Sequence, residues 1–187
     1  MSFTIPVDEL SIAKIEGFRT AAKNACLQRA MDLKLVASMG ELVFHEAYVQ
    51  TDLSWPITNG YAQNPNYRTG AIATNTWTSV FSSGAVPQLQ NNQVAVFYKI
   101  MDWTVTPQIT QVRFKLGLNG TTTLGWFVTE NILNVKLTPE CYMSEPIVYS
   151  PNQWMFIECL SKSAIGIAGE NLGFGCFIAE PVGNQLS

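Results

Sequence analysis

From Gln93 to Glu180 the chain reads as a series of strand-like blocks, each closed by a turn signal, with no helical stretch between them. Within Ile109–Leu116, Val112, Phe114 and Leu116 share one face while Arg113 and Lys115 share the other, the period of a half-buried strand; Ile109 is out of step. Val94–Val105 is a second strand, ended by Pro107, and the Asn119-Gly120 pair is a hairpin signal that returns the chain along Thr122–Thr129. Ile147–Tyr149 and Gln153–Leu160 follow, split by Ser150, Pro151 and Asn152, and Gly173–Glu180 closes before Pro181. Strands that do not alternate with helices argue against a doubly wound parallel sheet. The expectation is a mainly β chain: an antiparallel β-sandwich of jelly-roll type with about eight strands.

Upstream of these blocks, roughly 8–36, the pattern is helical. Asp8, following Pro6, is expected to cap the helix, and Ile15, Phe18, Ala22 and Ala25 recur on one face as an apolar stripe. Gly17 weakens the middle, so two shorter helices are an alternative to one. The small residues Ala21, Ala22 and Ala25 permit close packing, either on the helix's own domain or on a neighbouring subunit. Glu41–Val49 leans to strand by its β-branched and aromatic content. The division expected is an N-terminal helical arm over 1–40 and a β-sandwich domain over 41–187.

Charge is distributed unevenly. Between Asp52 and Lys99 the sole charged residue is Arg68, in a stretch of Asn, Gln, Thr, Ser and aromatics. It reads as long loops with short strands at Thr69–Thr74 and Thr76–Phe81. A free surface is normally studded with charges of both signs, and this segment is too polar to be core throughout, so coverage by other subunits is expected. Trp55, Tyr61, Tyr67, Arg68 and Trp77 have the composition of an interface centre, aromatic and Arg-containing without Lys or Glu. A sugar-stacking platform and ordinary packing are the alternatives for Trp55 and Trp77. Trp103, Trp126 and Trp154 lie in the strand blocks and are expected in the core.

The composition excludes several functions. Charged residues are 13% of the chain, about half the usual share of roughly 25%. Net charge is −3 and no basic run occurs, so neither nucleic acid nor an anionic membrane has an electrostatic footprint. No apolar run reaches the ~18 residues of a membrane helix, and the opening MSFTIPVDEL lacks the pattern of a secretory signal. Cys26, Cys141, Cys159 and Cys176 form no C-x-x-C motif; free, buried thiols are expected, with a disulfide as the alternative.

Catalytic signatures are missing too. His45 is the sole histidine, and its neighbour Glu46 points to the opposite face of a strand, so the two do not converge. No G-x-S-x-G, H-E-x-x-H or phosphate-binding glycine loop occurs. The aspartates Asp8, Asp32, Asp52 and Asp102 are dispersed, unlike a calcium loop. Glu130, Glu140, Glu145, Glu158, Glu170 and Glu180 leave a glycosidase-like carboxylate pair as a minor alternative. No catalytic residue, cofactor or metal is expected.

The segments Gln111–Gly117, Thr123–Phe127, Glu145–Trp154 and Gly169–Gly175 contain a Pro-x-Val-Tyr-x-Pro-like corner (Pro146–Pro151) and a glycine-marked loop before the last strand. In this they resemble the β-sandwich region of tailed-phage virion structural proteins, over roughly residues 94–182. The helical N-terminal part lies outside the pattern. The resemblance implies a non-enzymatic, capsid-associated subunit, either a decoration or cement protein or a shell component, in a virion assembled in the host cytoplasm. The partners implied are further copies of the chain, as a trimer or higher ring, and other capsid proteins, with no direct nucleic acid and no membrane. A carbohydrate-binding or receptor-binding β-sandwich is the alternative function, and a glycoside hydrolase a more distant one.

Overall fold

The strand alternation is realised as two antiparallel sheets that share one core. The computed structural model describes residues 4–50, 69–80, 89, 91–117, 119–129 and 138–183, with the backbone alone described at 47–50. The elements are β1 (Thr4–Pro6), α1 (Ile12–Asp32), β2 (Leu42–Gln50), β3 (Thr78–Ser79), β4 (Val94–Asp102), β5 (Ile109–Leu116), β6 (Thr122–Val128), β7 (Glu140–Tyr149), β8 (Met155–Ser161) and β9 (Leu172–Pro181). One sheet has the order β1-β7-β4-β9-β2, the other β3-β8-β5-β6. Thr69–Thr74 contributes two isolated bridges, Ile72 to Ile165 and Thr74 to Ser161, rather than a strand.

Between the sheets lies an aromatic and aliphatic core. Phe97 of β4 packs against Phe114 of β5 at 5.3 Å between ring centroids, and Phe114 against Phe174 of β9 at 5.5 Å. Val112, Phe127, Met155, Ile157, Leu172 and Ile178 complete this layer. Two bulges set its phase. The β5–β8 register shifts between Ile109 and Gln111, which returns the out-of-step Ile109 to the inner face, where it is fully buried. The β4 register shifts between Phe97 and Lys99, so Ala95 and Phe97 face inward and Ile100 does so after the bulge.

The outer face of the five-stranded sheet is equally apolar. Val94, Val96 and Tyr98 of β4, Tyr142 of β7, and Phe177 and Ala179 of β9 meet Ala22, Cys26 and Ala30 of α1. Both faces of β4 are thereby covered, and all nine of its residues are buried. Small side chains at the i, i+4, i+8 positions of α1 let the helix lie close to the strands. Arg19 of the helix is fixed by a bidentate pair with Glu46, which also accepts a hydrogen bond from Tyr98.

Several expectations need correcting. The helix is a single element starting at Ile12, capped by Ser11, whose hydroxyl accepts from the Lys14 N–H. Asp8 lies in the short helical turn Val7–Glu9 ahead of α1 and accepts from the Thr138 N–H at 3.0 Å. The strand from Val94 stops at Asp102, not Val105, because the Asp102 carboxylate accepts from the Thr104 N–H and turns the chain. The expected strand at Ile147–Tyr149 extends back to Glu140. Trp103 and Trp126 are not core: they are 50% and 40% exposed. Trp154 is half-buried. Among the described residues the largest fully buried side chains are instead Phe and Tyr: Tyr149, Phe97, Phe114, Phe127 and Phe174 between the sheets, and Tyr98 and Phe177 beneath α1. The four cysteines are free and buried, as expected.

Candidate functional site

The two outer faces differ. α1 lies on the five-stranded sheet, whereas among the described residues no helix covers the four-stranded one. Alternation in β5 sends Gln111, Arg113 and Lys115 outward to that face, and register places Glu158 of β8 and Trp126 of β6 on either side of Arg113. The segment before β3 brings Trp77 to the same row.

These side chains form one cluster. The Arg113 guanidinium lies over the Trp77 ring, 4.0 Å from its centroid, and Trp77 meets Trp126 edge-on at 6.0 Å and 76°. Arg113 also pairs with the Glu158 carboxylate, which Lys115 approaches at 3.3 Å. The Trp126 indole N–H donates to Gln111 Oε1 at 3.0 Å. Arg113 is thus held by the Trp77 ring and by the Glu158 carboxylate together, a combination its delocalised cation favours over a lysine's point charge. Glu158 is engaged by two cations, Arg113 and Lys115. The face combines aromatic area, hydrogen-bonded polar groups and one surplus positive charge.

Of the residues expected at an interface, Trp77 lies in this cluster, while Trp55, Tyr61, Tyr67 and Arg68 lie outside the described residues. Arg113, Trp126 and Gln111 are not among the residues that the sequence singles out for a site, and Glu158 is singled out there only as one member of a possible carboxylate pair. The alternation of β5 already marks Arg113 as outward-facing, but only the sheet register shows that it meets Glu158 and Trp126.

A second polar cluster lies inside the protein. Asp102 and Glu170 are 0% and 3% exposed. The Glu170 carboxylate accepts from the Gln108 N–H at 2.5 Å and the Ile109 N–H at 3.4 Å. Asp102 Oδ1 accepts from Thr104, while Oδ2 has no donor but the neighbouring carboxyl. Burial, then the Asp102 charge, pushes Glu170 up to about 8, and burial raises Asp102 as well. The pair is therefore an acid and a carboxylate sharing a proton. A glycosidase pair must face a sugar, and these two carboxyls are sealed from solvent.

His45 Nε2 lies 3.1 Å from Glu180 Oε1, and Glu180 also accepts from Gln93, while Glu46 turns the other way to Arg19. Among the described residues no group of three or more His, Cys, Asp or Glu side chains is arranged to hold a metal ion, and no helix is long and apolar enough to cross a membrane. No protein-family model matches the chain, and no curated protein and no solved structure matches it either.

Proposed function

We propose that the chain is a non-enzymatic structural subunit of a virion, a capsid-associated decoration, cement or shell component that acts by binding further copies of itself and other capsid proteins. The body is read as a jelly roll. In support, β2-β9-β4-β7 face β3-β8-β5-β6, the order that two interleaved Greek keys produce, with β1 added at an edge. Viral capsid and lectin domains are among the proteins built on jelly rolls, so the fold is compatible with this reading without selecting it.

The observation that carries the proposal is the Trp77–Arg113–Trp126 cluster on a sheet face that no helix among the described residues covers. Tryptophan and arginine are the residues over-represented where protein interfaces concentrate their energy. Here the guanidinium is already paired, which lowers the cost of removing it from water. Size-exclusion chromatography with light scattering tests this. A homo-oligomer at micromolar concentration is expected, weakened by Trp126→Ala; a stable monomer of 20.7 kDa overturns it.

One observation favours a second reading, a carbohydrate-binding module. The Trp126 ring is 40% exposed, with Gln111 beside it as a hydrogen-bonding neighbour. That reading predicts saturable glycan binding abolished by Trp126→Ala, and an empty glycan array disposes of it.

A further inference from the structure

Two buried carboxyls meet where three segments of the chain are tied together. Asp102 ends β4 and Glu170 lies just ahead of β9, and both are sealed from solvent. Pairing of Asp102 with Leu172 in the sheet brings the two side by side. Each carboxylate holds backbone. The Thr104 N–H donates to Asp102 Oδ1 at 3.0 Å, and the Gln108 and Ile109 N–H groups donate to Glu170 at 2.5 and 3.4 Å. The Glu170 main chain is held in turn by Thr69, whose N–H donates to Glu170 O and whose Oγ1 accepts from the Glu170 N–H, both at 2.9 Å. The Asn171 N–H donates to Thr104 Oγ1 at 2.8 Å, and the Trp103 N–H to Asn171 O at 3.0 Å. Loops 103–108 and 162–171 and the segment from Thr69 thus share one junction.

One acceptor at this junction is left over. Among the described residues Asp102 Oδ2 is buried without a donor, save for a proton on the facing carboxyl. With that proton the junction is complete; without it two like charges face each other away from water, which is costly. The charged groups around it are engaged elsewhere or exposed. Lys99 of β4 is bound to Glu140 at 3.1 Å, and Glu158 of β8 is engaged by Arg113 and Lys115. Cys159 of β8 faces the core, and burial keeps its thiol neutral. Lys162 is exposed. Residues 103–112, 163–169 and 69–80 contain no charged side chain, and Arg68, Glu130 and Lys136 lie outside the described residues.

We propose that the Asp102–Glu170 pair is a proton-operated latch: protonated, it ties the two loops and the Thr69 segment to the sandwich, and loss of the proton lets this end open locally while both sheets stay folded. The latch works within one chain, whatever that chain assembles with. Apart from these hydrogen bonds the loop tips have little hold on the core: Trp103, Val105 and Ile167 are 50%, 101% and 92% exposed. Segments of that kind open ahead of the whole. The direction follows from which state keeps the proton. Closed, the pair keeps one proton up to about 8; once open to water, both carboxyls ionise near their ordinary values, 4.5 for Glu170. Opening therefore releases a proton between those values and becomes up to about tenfold more favourable per pH unit across them, levelling off above.

Native-state hydrogen exchange on the full chain, from about pH 5.5 to 8.5 and corrected for the intrinsic rate, tests the latch. The amides of Thr104, Gln108, Ile109 and Asn171 are expected to be less protected than those of Val96 and Phe177 by about tenfold or more at every pH, and to respond little to low urea. Their protection should fall by about tenfold or more between pH 5.5 and 7.5. Glu170→Gln carries a permanent donor for Asp102 and should hold that protection level. Asp102→Asn does the same from the other side and is read in its place should the first variant fail to fold. A flat profile in the parent overturns the latch, as does a fall that the neutral variant leaves unchanged. Loop amides that exchange only together with Val96 and Phe177 make this end part of one cooperative unit and overturn it too. A last arm repeats the measurement at the alkaline end with millimolar calcium chloride: protection restored there makes the pair a cation site and overturns the proton latch.

Discussion

Single residues here act through burial more than through exposed charge. Glu170 is held above its ordinary value in the fold, so the folded chain keeps a proton that the unfolded chain releases. Its contribution is therefore complete below the ordinary value of 4.5 and is lost as pH rises toward about 8. Unfolding free energy is expected to fall across that window with a slope on the order of 1 kcal/mol per pH unit. Urea titrations at several pH values measure the slope, and Glu170→Gln, permanently neutral, should flatten it; parallel profiles for parent and variant refute the shared-proton pair. Gly169 serves the same corner by backbone shape. Its φ is +65°, and a Cβ there sits 2.5 Å from the Gly70 nitrogen, so Gly169→Ala is expected to cost about 2 kcal/mol or more. Buried thiols follow the same logic. Burial raises Cys26 and Cys141 to about 12 and Cys159 and Cys176 well above the ordinary range. A thiol-specific disulfide reagent should find no reactive group in the native chain and four after unfolding.

At the level of elements, the helix matters because it has little bulk on one side. Ala22, Cys26 and Ala30 set the distance between α1 and the sheet, and Phe18 stacks on Tyr142 at 5.2 Å beside them. Ala22→Leu is expected to destabilise by ~1–3 kcal/mol through overpacking. Ala21→Leu, one residue round on the exposed face, should stay within ~0.5 kcal/mol. Denaturant midpoints at constant m-value separate the two, and equal effects at both positions refute close packing on this face. The bulges in β4 and β5 are likewise small changes with long consequences. Each shifts alternation by one residue, which is how Ile109 and Ile100 both reach the core.

For the molecule as a whole, the order of layers decides what each surface can do. The chain stacks a helix, a five-stranded sheet and a four-stranded sheet, and the helix keeps Val94, Val96, Tyr98 and Phe177 from water. Removing residues 1–33 should expose that face and give an aggregating, dye-binding product. A soluble, cooperatively unfolding sandwich from the same deletion refutes the helix's role as a cover. By contrast, no helix among the described residues lies over the row of Trp126, Arg113 and Trp77, the surface proposed for partners. β2 pairs with β9 from Leu42 opposite Pro181 to Gln50 opposite Gly173, so two strands far apart in the chain lie side by side, and folding through such distant pairing is expected to be slow.

The strand content, the antiparallel class, the hairpin at Asn119-Gly120 and the inward set Val112 and Phe114 were legible in the chain itself, because alternation and turn chemistry act over a few residues. Also legible were the buried free thiols and the divergence of His45 from Glu46. Tertiary structure alone decided the rest. Tryptophans in strand sequence look like core until the register shows which face they take, and Trp126 faces out. Asp102 and Glu170 are 68 positions apart, and only packing brings them to one proton. Local sequence sets the period of each strand; bulges, register and the order of layers set its phase, and the phase determines which side chains meet water, each other or a partner.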